Sequence, residues 1–226
     1  RNIGEKIYEL RELRLQSKGL LSTRVDITSL KAQQKYGETL KAALEQVTNP
    51  IAIWDENESL YYAREKLQDC TIITYSDIIF EKAVIDQVIN FKGDIGITVD
   101  LNWEKNYVNR DKHPKSEADN VLFDKEGNVL EIKKNIQKPD SKIGEYLGVM
   151  KLSRKNSKVF LDKYSELKIS HQGKFHNAAS LESAYLTDMF QELIDSGIRI
   201  SPIYVSGKWC EIDTPQDLEK ARKLFT

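Results

Sequence analysis

The sequence has no apolar run approaching the ~18 residues that a membrane-spanning helix needs, so insertion into a bilayer is not expected. It has no surplus of either charge. Lys and Arg number 34, Asp and Glu 35, and the formal net charge is −1. A dedicated nucleic-acid binder or a membrane-surface protein would carry basic blocks, so neither partner is expected. Cysteine is scarce: Cys70 and Cys210 lie far apart and lack metal-ligand spacing. This points to reduced thiols in a cytoplasmic protein rather than to a disulfide. No internal repeat, low-complexity tract or signal-peptide pattern is present.

What is present suits a sizeable α/β domain, alone or with an appendage. The chain has 226 residues, 40% of them hydrophobic and 31% charged. Residues 3–15 and 28–47 read as helices, the first with Ile3, Ile7, Leu10 and Leu13 on one face. Gly37 weakens the second by about 1 kcal/mol relative to Ala. "ENESLYYAREKL" reads as a further helix. The β-branched run "CTIITYSD" then reads as a buried strand ending at Asp77, followed by a helix in "FEKAVIDQVINF" and a strand in "DIGITVD". Strand, helix, strand implies parallel pairing in an open sheet. "NVLFDKEGNVLEI" reads as a hairpin turning at Gly127 and Asn128, and "GEYLGVMKL" as another strand. "SLESAYLTDMFQELIDSG" predicts a helix capped by Ser180 and stopped by Gly197. "RISPIYVSG" and "KWCEIDT" read as strands joined by a Gly turn. A last helix follows, with Thr214 as cap, Pro215 in its first position and Asp217 in its first turn.

Ligands of open parallel sheets sit beyond the carboxyl ends of the strands. Asp77 and Asp213 both fall at such ends, each just before an expected helix. Two carboxylates presented this way can hold a hard divalent cation such as Mg²⁺, which takes oxygen ligands and is completed by substrate phosphates. Either residue alone could serve as a helix cap. Glu211 and Asp213 are two apart on a strand, so their side chains share a face.

Five segments occur in order: "TIITYSDIIF", "VDLNWEKNYVNR", "EADNVLFDKEGNVLEIKKNI", "GEYLGVMKLS" and "KWCEIDTPQDLEKA". Together they resemble the phosphocholine- and phosphonate-type cytidylyltransferases, relatives of the sugar-phosphate nucleotidyltransferases. The resemblance runs over about residues 57–225. It implies a Rossmann-like, mixed but mostly parallel sheet flanked by helices, with a small β-hairpin subregion on the acceptor side. Residues 48–226 would form this nucleotidyltransferase domain and residues 1–47 a helical N-terminal region, incomplete or part of the same domain.

The implied reaction couples CTP to a phosphate- or phosphonate-bearing small molecule, releasing pyrophosphate. Phosphocholine and 2-aminoethylphosphonate are the implied acceptors, and the resemblance leaves room for a homodimer. By carry-over, Asp77 and Asp213 hold Mg²⁺. Lys133, with Lys134 as the alternative, and Arg110 supply cationic help. Asn57, Ser59 and Ser76 are nucleotide contacts. The aromatic residues Trp103, Tyr107, Tyr146 and Trp209, with Glu145 and Glu211, would make a cage for an ammonium group. Asp188, in "AYLTD", would approach the acceptor. His113, His171 and His176 read as surface residues, with His176 a weak acceptor contact.

The family opens with a strand and a Gly-rich loop that cradles the triphosphate. Nothing before Pro50 matches it. The chain starts at Arg1 rather than Met, and the expectation is that the encoded polypeptide holds further residues there. The competing expectations are a non-catalytic scaffold relative with a helical oligomerisation arm, another sugar-phosphate nucleotidyltransferase, or a glycosyltransferase. The last predicts Asp-x-Asp at the strand end, where "YSDII" has one Asp.

Overall fold

The computed structural model describes residues 49–53, 61, 64, 67, 70–138 and 140–225. The two expected N-terminal helices, most of the 56–67 helix, and Asn57 and Ser59 lie outside the described residues. In chain order the elements are β1 (Asn49–Ile53), β2 (Thr71–Tyr75), β3 (Ile78–Phe80), α1 (Lys82–Asn90), β4 (Ile95–Asp100), β5 (Asp119–Phe123), β6 (Val129–Lys134), β7 (Ile143–Leu152), α2 (Arg154–Ser170), α3 (Leu186–Asp195), β8 (Ser201–Tyr204), β9 (Trp209–Glu211) and α4 (Pro215–Leu224). Short 3₁₀ turns occupy Trp103–Tyr107 and Lys115–Glu117.

The main sheet runs β1-β2-β7-β4-β8, with the β5–β6 hairpin added through β5 against β7. β2 and β4 have every residue buried, as strands covered on both faces must. They point the same way but are not neighbours. β7 inserts between them, antiparallel to both, so the strand–helix–strand unit spans a vacant position that a later segment fills. β1 with β2 and β4 with β8 are the parallel pairs. The sheet is therefore mixed, with four of its five main strands in one direction.

Three local expectations change. Asp77 is followed by the short strand β3, not directly by a helix, and β3 pairs with β9 in a separate two-stranded sheet. β8 and β9 are thus not a hairpin: β8 joins the main sheet while β9 crosses to β3. The 180–197 helix starts only at Leu186. Ser180 and Ser183 bond to each other's backbone and hold the preceding residues in a turn, the usual competition between a hydroxyl and a helix. Helix α2 is an addition; Phe160, Tyr164 and Leu167 lie on its buried face at 4-3 spacing. One hydrophobic core joins the sheet to all four helices. Cys70 and Cys210 carry thiols, not a disulfide. Among the described residues no helix is long and apolar enough to cross a membrane.

Candidate active site

The ends of β2 and β9, the starts of β5 and β7 and the end of β6 converge on one small cleft of about 80 Å³. Asp77 and Asp213 both line it. Asp77 arrives because β2 ends there. Asp213 arrives because β9 is stitched antiparallel to β3, with Ile78 opposite Glu211, and Ile212 donates its N–H to the Asp77 carbonyl at 3.0 Å. Residues more than a hundred positions apart are thereby locked side by side.

The Asp77 carboxyl is pushed up to about 6, by burial first and then by the charge of Asp213. Its Oδ1 is buried without a hydrogen-bond partner in the protein. Asp213 behaves in the opposite way. Burial would raise it, but the hydrogen bond from His113 and the charge of Arg110 hold it below the usual carboxylate range. Glu211 rises well above that range through burial and the Asp213 charge. His113 Nδ1 lies 3.0 Å from Asp213 Oδ2, and Arg110 Nη2 reaches the same oxygen at 2.9 Å. His113, Glu211 and Asp213 bring ligand atoms within 4.8 Å of one another, a candidate metal cluster among the described residues.

Arg110 is buried, and its guanidinium is committed to three carboxylates. Nε donates to Asp217 Oδ1 at 2.5 Å, while Nη2 meets Asp213 and Glu211 at 2.9 and 3.3 Å. The segment that delivers it is pinned to α4. Asn109 takes a left-handed backbone (φ 60°), and its carbonyl accepts from Gln216 at 2.7 Å. Asp217 in turn accepts from the Thr214 backbone and hydroxyl, completing the cap of α4. One residue therefore starts the last helix and anchors the guanidinium beside the cleft. Arg110 is matched inside the protein rather than offered to an acceptor.

Aromatic rings form one wall: Tyr75, Tyr107, Tyr146 and Trp209. Trp209 Nε1 donates to Asp100 Oδ2 at 2.9 Å, which fixes the indole plane. Tyr107 donates a short hydrogen bond to Glu145. Glu145 is buried, its carboxyl pushed up to about 8 by burial despite that bond, and its Oε2 has no hydrogen-bond partner in the protein. Tyr75 takes its place because Gly148 has φ +71°, and a Cβ there would meet the Tyr75 ring at 2.5 Å.

Strand alternation separates the two candidate lysines. Asp119 and Lys134 are direct cross-strand partners of the hairpin, and both line the cleft. Lys133 faces the other way and pairs with Glu131, outside the cleft, so the lysine at the site is Lys134. Trp103 is buried in a satellite cluster with Tyr107 and Ala118. It borders a separate, larger groove of about 890 Å³ lined by lysines and amides, which holds none of Asp77, Glu145, Glu211 and Asp213. Asp188 is buried and structural: it accepts from the Tyr185 N–H at 3.0 Å at the start of α3 and from the Asn177 N–H at 3.2 Å. Ser76 is buried beside Asp77, its hydroxyl without a partner in the protein. His176 sits with Glu192 of α3 at 3.1 Å.

Asp119 and Tyr75 were not singled out from sequence, and His113, expected at the surface, instead lines the cleft half-buried against Asp213. Asp119 had a signal, since it opens a strand whose alternate positions point to the acceptor side. His113 lies in an irregular loop with no period to place it.

No family model matches the chain. The CTP:phosphoglutamine cytidylyltransferase of Campylobacter jejuni is 28% identical over 155 residues, covering 69% of this chain. The chain spans 59% of the length of that relative. Among solved structures, the CTP:phosphocholine cytidylyltransferase of Streptococcus pneumoniae superposes with TM-score 0.56 and 16% identity, covering 90% of this chain and 88% of the other. The inositol-1-phosphate CTP transferase of T. maritima gives TM-score 0.52 and 18% identity, covering 76% and 61%.

Proposed function

We propose that this relative of the cytidylyltransferase-type nucleotidyltransferases, with their fold, couples CTP to a small molecule bearing a phosphate or phosphonate at one end and a positive charge at the other. The observation that carries the reading is the convergence of Asp77 and Asp213 in a cleft walled by four aromatic rings and further carboxylates. The acceptor's phosphoryl oxygen would attack the α-phosphorus of CTP, forming one P–O bond as the bond to pyrophosphate breaks. Little covalent chemistry falls to the protein; alignment and charge neutralisation do the work.

The donor set suits a hard divalent cation. Asp77 offers a buried oxygen with no protein partner, and a cation beside it would restore its ionised form. Asp77 and Asp213 would hold Mg²⁺, which when bound supplies neutralisation between the phosphates. His113 and Arg110 keep Asp213 ionised and oriented. The aromatic wall would receive the cationic end, with Glu145 beside it, whose ionised form an adjacent ammonium would restore. Ser76, buried next to Asp77, would contact the nucleotide.

The test is pyrophosphate release from CTP by the full-length protein with Mg²⁺ and a panel of phosphorylated and phosphonate acceptors. Release that needs both CTP and an acceptor is expected. No release with any acceptor, and no CTP binding by calorimetry, would sink the reading.

A further inference from the structure

Asp119 and Asn120 are neighbours on β5, and alternation sends them to opposite faces. Asp119 lines the cleft, while Asn120 lies in the floor of the larger groove, only 2% exposed. The Asn120 amide is half used. Its Oδ1 accepts from the Ile136 N–H at 3.0 Å, which fixes which end of the amide is oxygen. Its Nδ2 is buried and donates to nothing in the protein. Glu145, directly opposite on β7, does not take that hydrogen either. A buried amide N–H without an acceptor calls for one from outside the fold.

The second observation is the charge of the groove. Lys105, Lys115, Lys138 and Lys142 line it, and Glu104 is the one acid among its described lining residues. Four lysines against one glutamate leave a local surplus of three positive charges in a chain whose net charge is −1. Lys115 pairs with Glu104 and lies 5.1 Å from the Trp103 ring centre; Lys138 lies 3.0 Å from Glu131. Both lysines are about half exposed, and such pairs are worth little, so an incoming anion can displace the glutamates. Trp103 gives the groove a fixed wall, because its indole N–H donates to the Ile143 carbonyl at 3.3 Å.

We propose that this groove is a second binding site, separate from the cleft, for a small ligand carrying two or more phosphate groups. Asn120 Nδ2 would donate to a phosphoryl oxygen at the floor, and the lysines would neutralise the rest. The lining has lysines and no arginine among the described residues. Lysine meets a phosphate as a point charge, whereas the arginine fork is the usual match for a planar carboxylate. A groove of about 890 Å³ with cations along it is larger than one phosphate fills. The site goes beyond the cytidylyltransferase reading and does not depend on it.

The test is calorimetric titration of the full-length protein in metal-free buffer with inorganic orthophosphate, pyrophosphate, tripolyphosphate and citrate. Without a divalent cation the cleft, crowded with carboxylates, repels these anions, so binding reports the groove. Tripolyphosphate should bind at one site, at least about fivefold tighter than orthophosphate and citrate, and more weakly as salt is raised. The double variant Lys115→Gln/Lys138→Gln should weaken it by about tenfold or more, as expected for charge-assisted bonds lost. The same variant should leave CTP binding in Mg²⁺ within about twofold. Asn120→Asp keeps the acceptor for Ile136 and removes the donor, and should also cost about tenfold. If that variant does not fold, the lysine variant still decides.

No binding of pyrophosphate or tripolyphosphate in metal-free buffer would overturn the proposal. Citrate binding as tightly as tripolyphosphate would overturn the choice of phosphate. Tripolyphosphate binding that the lysine variant leaves intact would overturn the assignment to the groove. A parallel loss of CTP binding in that variant would overturn the separateness of the two sites.

Discussion

Arg110 and Asp217 are 107 positions apart, and they meet as a 2.5 Å ion pair in which both side chains are buried. The pair ties the loop after β4 to the first turn of α4, and Asp213 and Glu211 share the same guanidinium.

Removing Arg110 would leave several carboxylates facing one another without a counter-charge. Arg110→Ala is expected to lower stability by about 3–5 kcal/mol, the cost of breaking a buried pair from one side. Arg110→Lys should recover only part of it, because a single ammonium cannot serve three carboxylates as a fork does. Urea denaturation of the three proteins checks both statements.

Asp77, a metal ligand in the proposed function, is buried at a cost to stability. Its carboxyl titrates near 6, so burying the charged form is unfavourable. At pH 8, Asp77→Asn is expected to leave the thermal midpoint unchanged or higher while lowering pyrophosphate release by about a hundredfold or more. Asp213→Asn should cost as much activity without the gain in stability, since Arg110 and His113 favour its charged form. A midpoint that falls sharply for Asp77→Asn would contradict this division.

Glu145 gives a pH dependence whose sign follows from its upward shift to about 8. Between about 4.5 and 8 the folded protein holds a proton on Glu145 that the unfolded chain has released. The contribution is therefore present at low pH and lost as pH rises through 8. Glu145→Gln should flatten the fall of the thermal midpoint over that window, by a few degrees at its upper end. Midpoints for both proteins from pH 5 to 8.5 would show it; parallel curves would refute it.

Gly148 is the backbone counterpart. A Cβ there would meet the Tyr75 ring at 2.5 Å, in a left-handed conformation as well. Gly148→Ala is expected to cost about 1–3 kcal/mol and to disturb the aromatic wall. Weaker acceptor binding with little change in CTP binding would mark Tyr75 as an acceptor-side residue. Equal losses on both would not.

Much of the architecture was legible because its signals are local. "TIITY" and "IGITVD" are buried strands in the structure, as their unbroken apolar character requires. The Asp124–Gly127–Asn128 turn closes the hairpin, and Thr214, Pro215 and Asp217 start α4, because turns and caps are set by a few adjacent side chains. Helix α3 shows the limit: its expected start was five residues early because serine hydroxyls could serve either a cap or a turn.

The sequence by itself determined which residues could be buried in strands, where the last helix begins, and that Asp77 and Asp213 stand at strand ends. It could not say that β7 would come between β2 and β4, or that β9 would leave β8 to pair with β3. Those are long-range pairings, decided by which edges are free once the rest of the sheet has formed. Only they bring Asp77, Glu145, Glu211 and Asp213 to one cleft. The choice of Lys134 over Lys133 and the commitment of Arg110 to the protein's own carboxylates follow from the same cause. Alternation gives a side chain its face, but only the packed neighbours decide whether that face is surface, core or site.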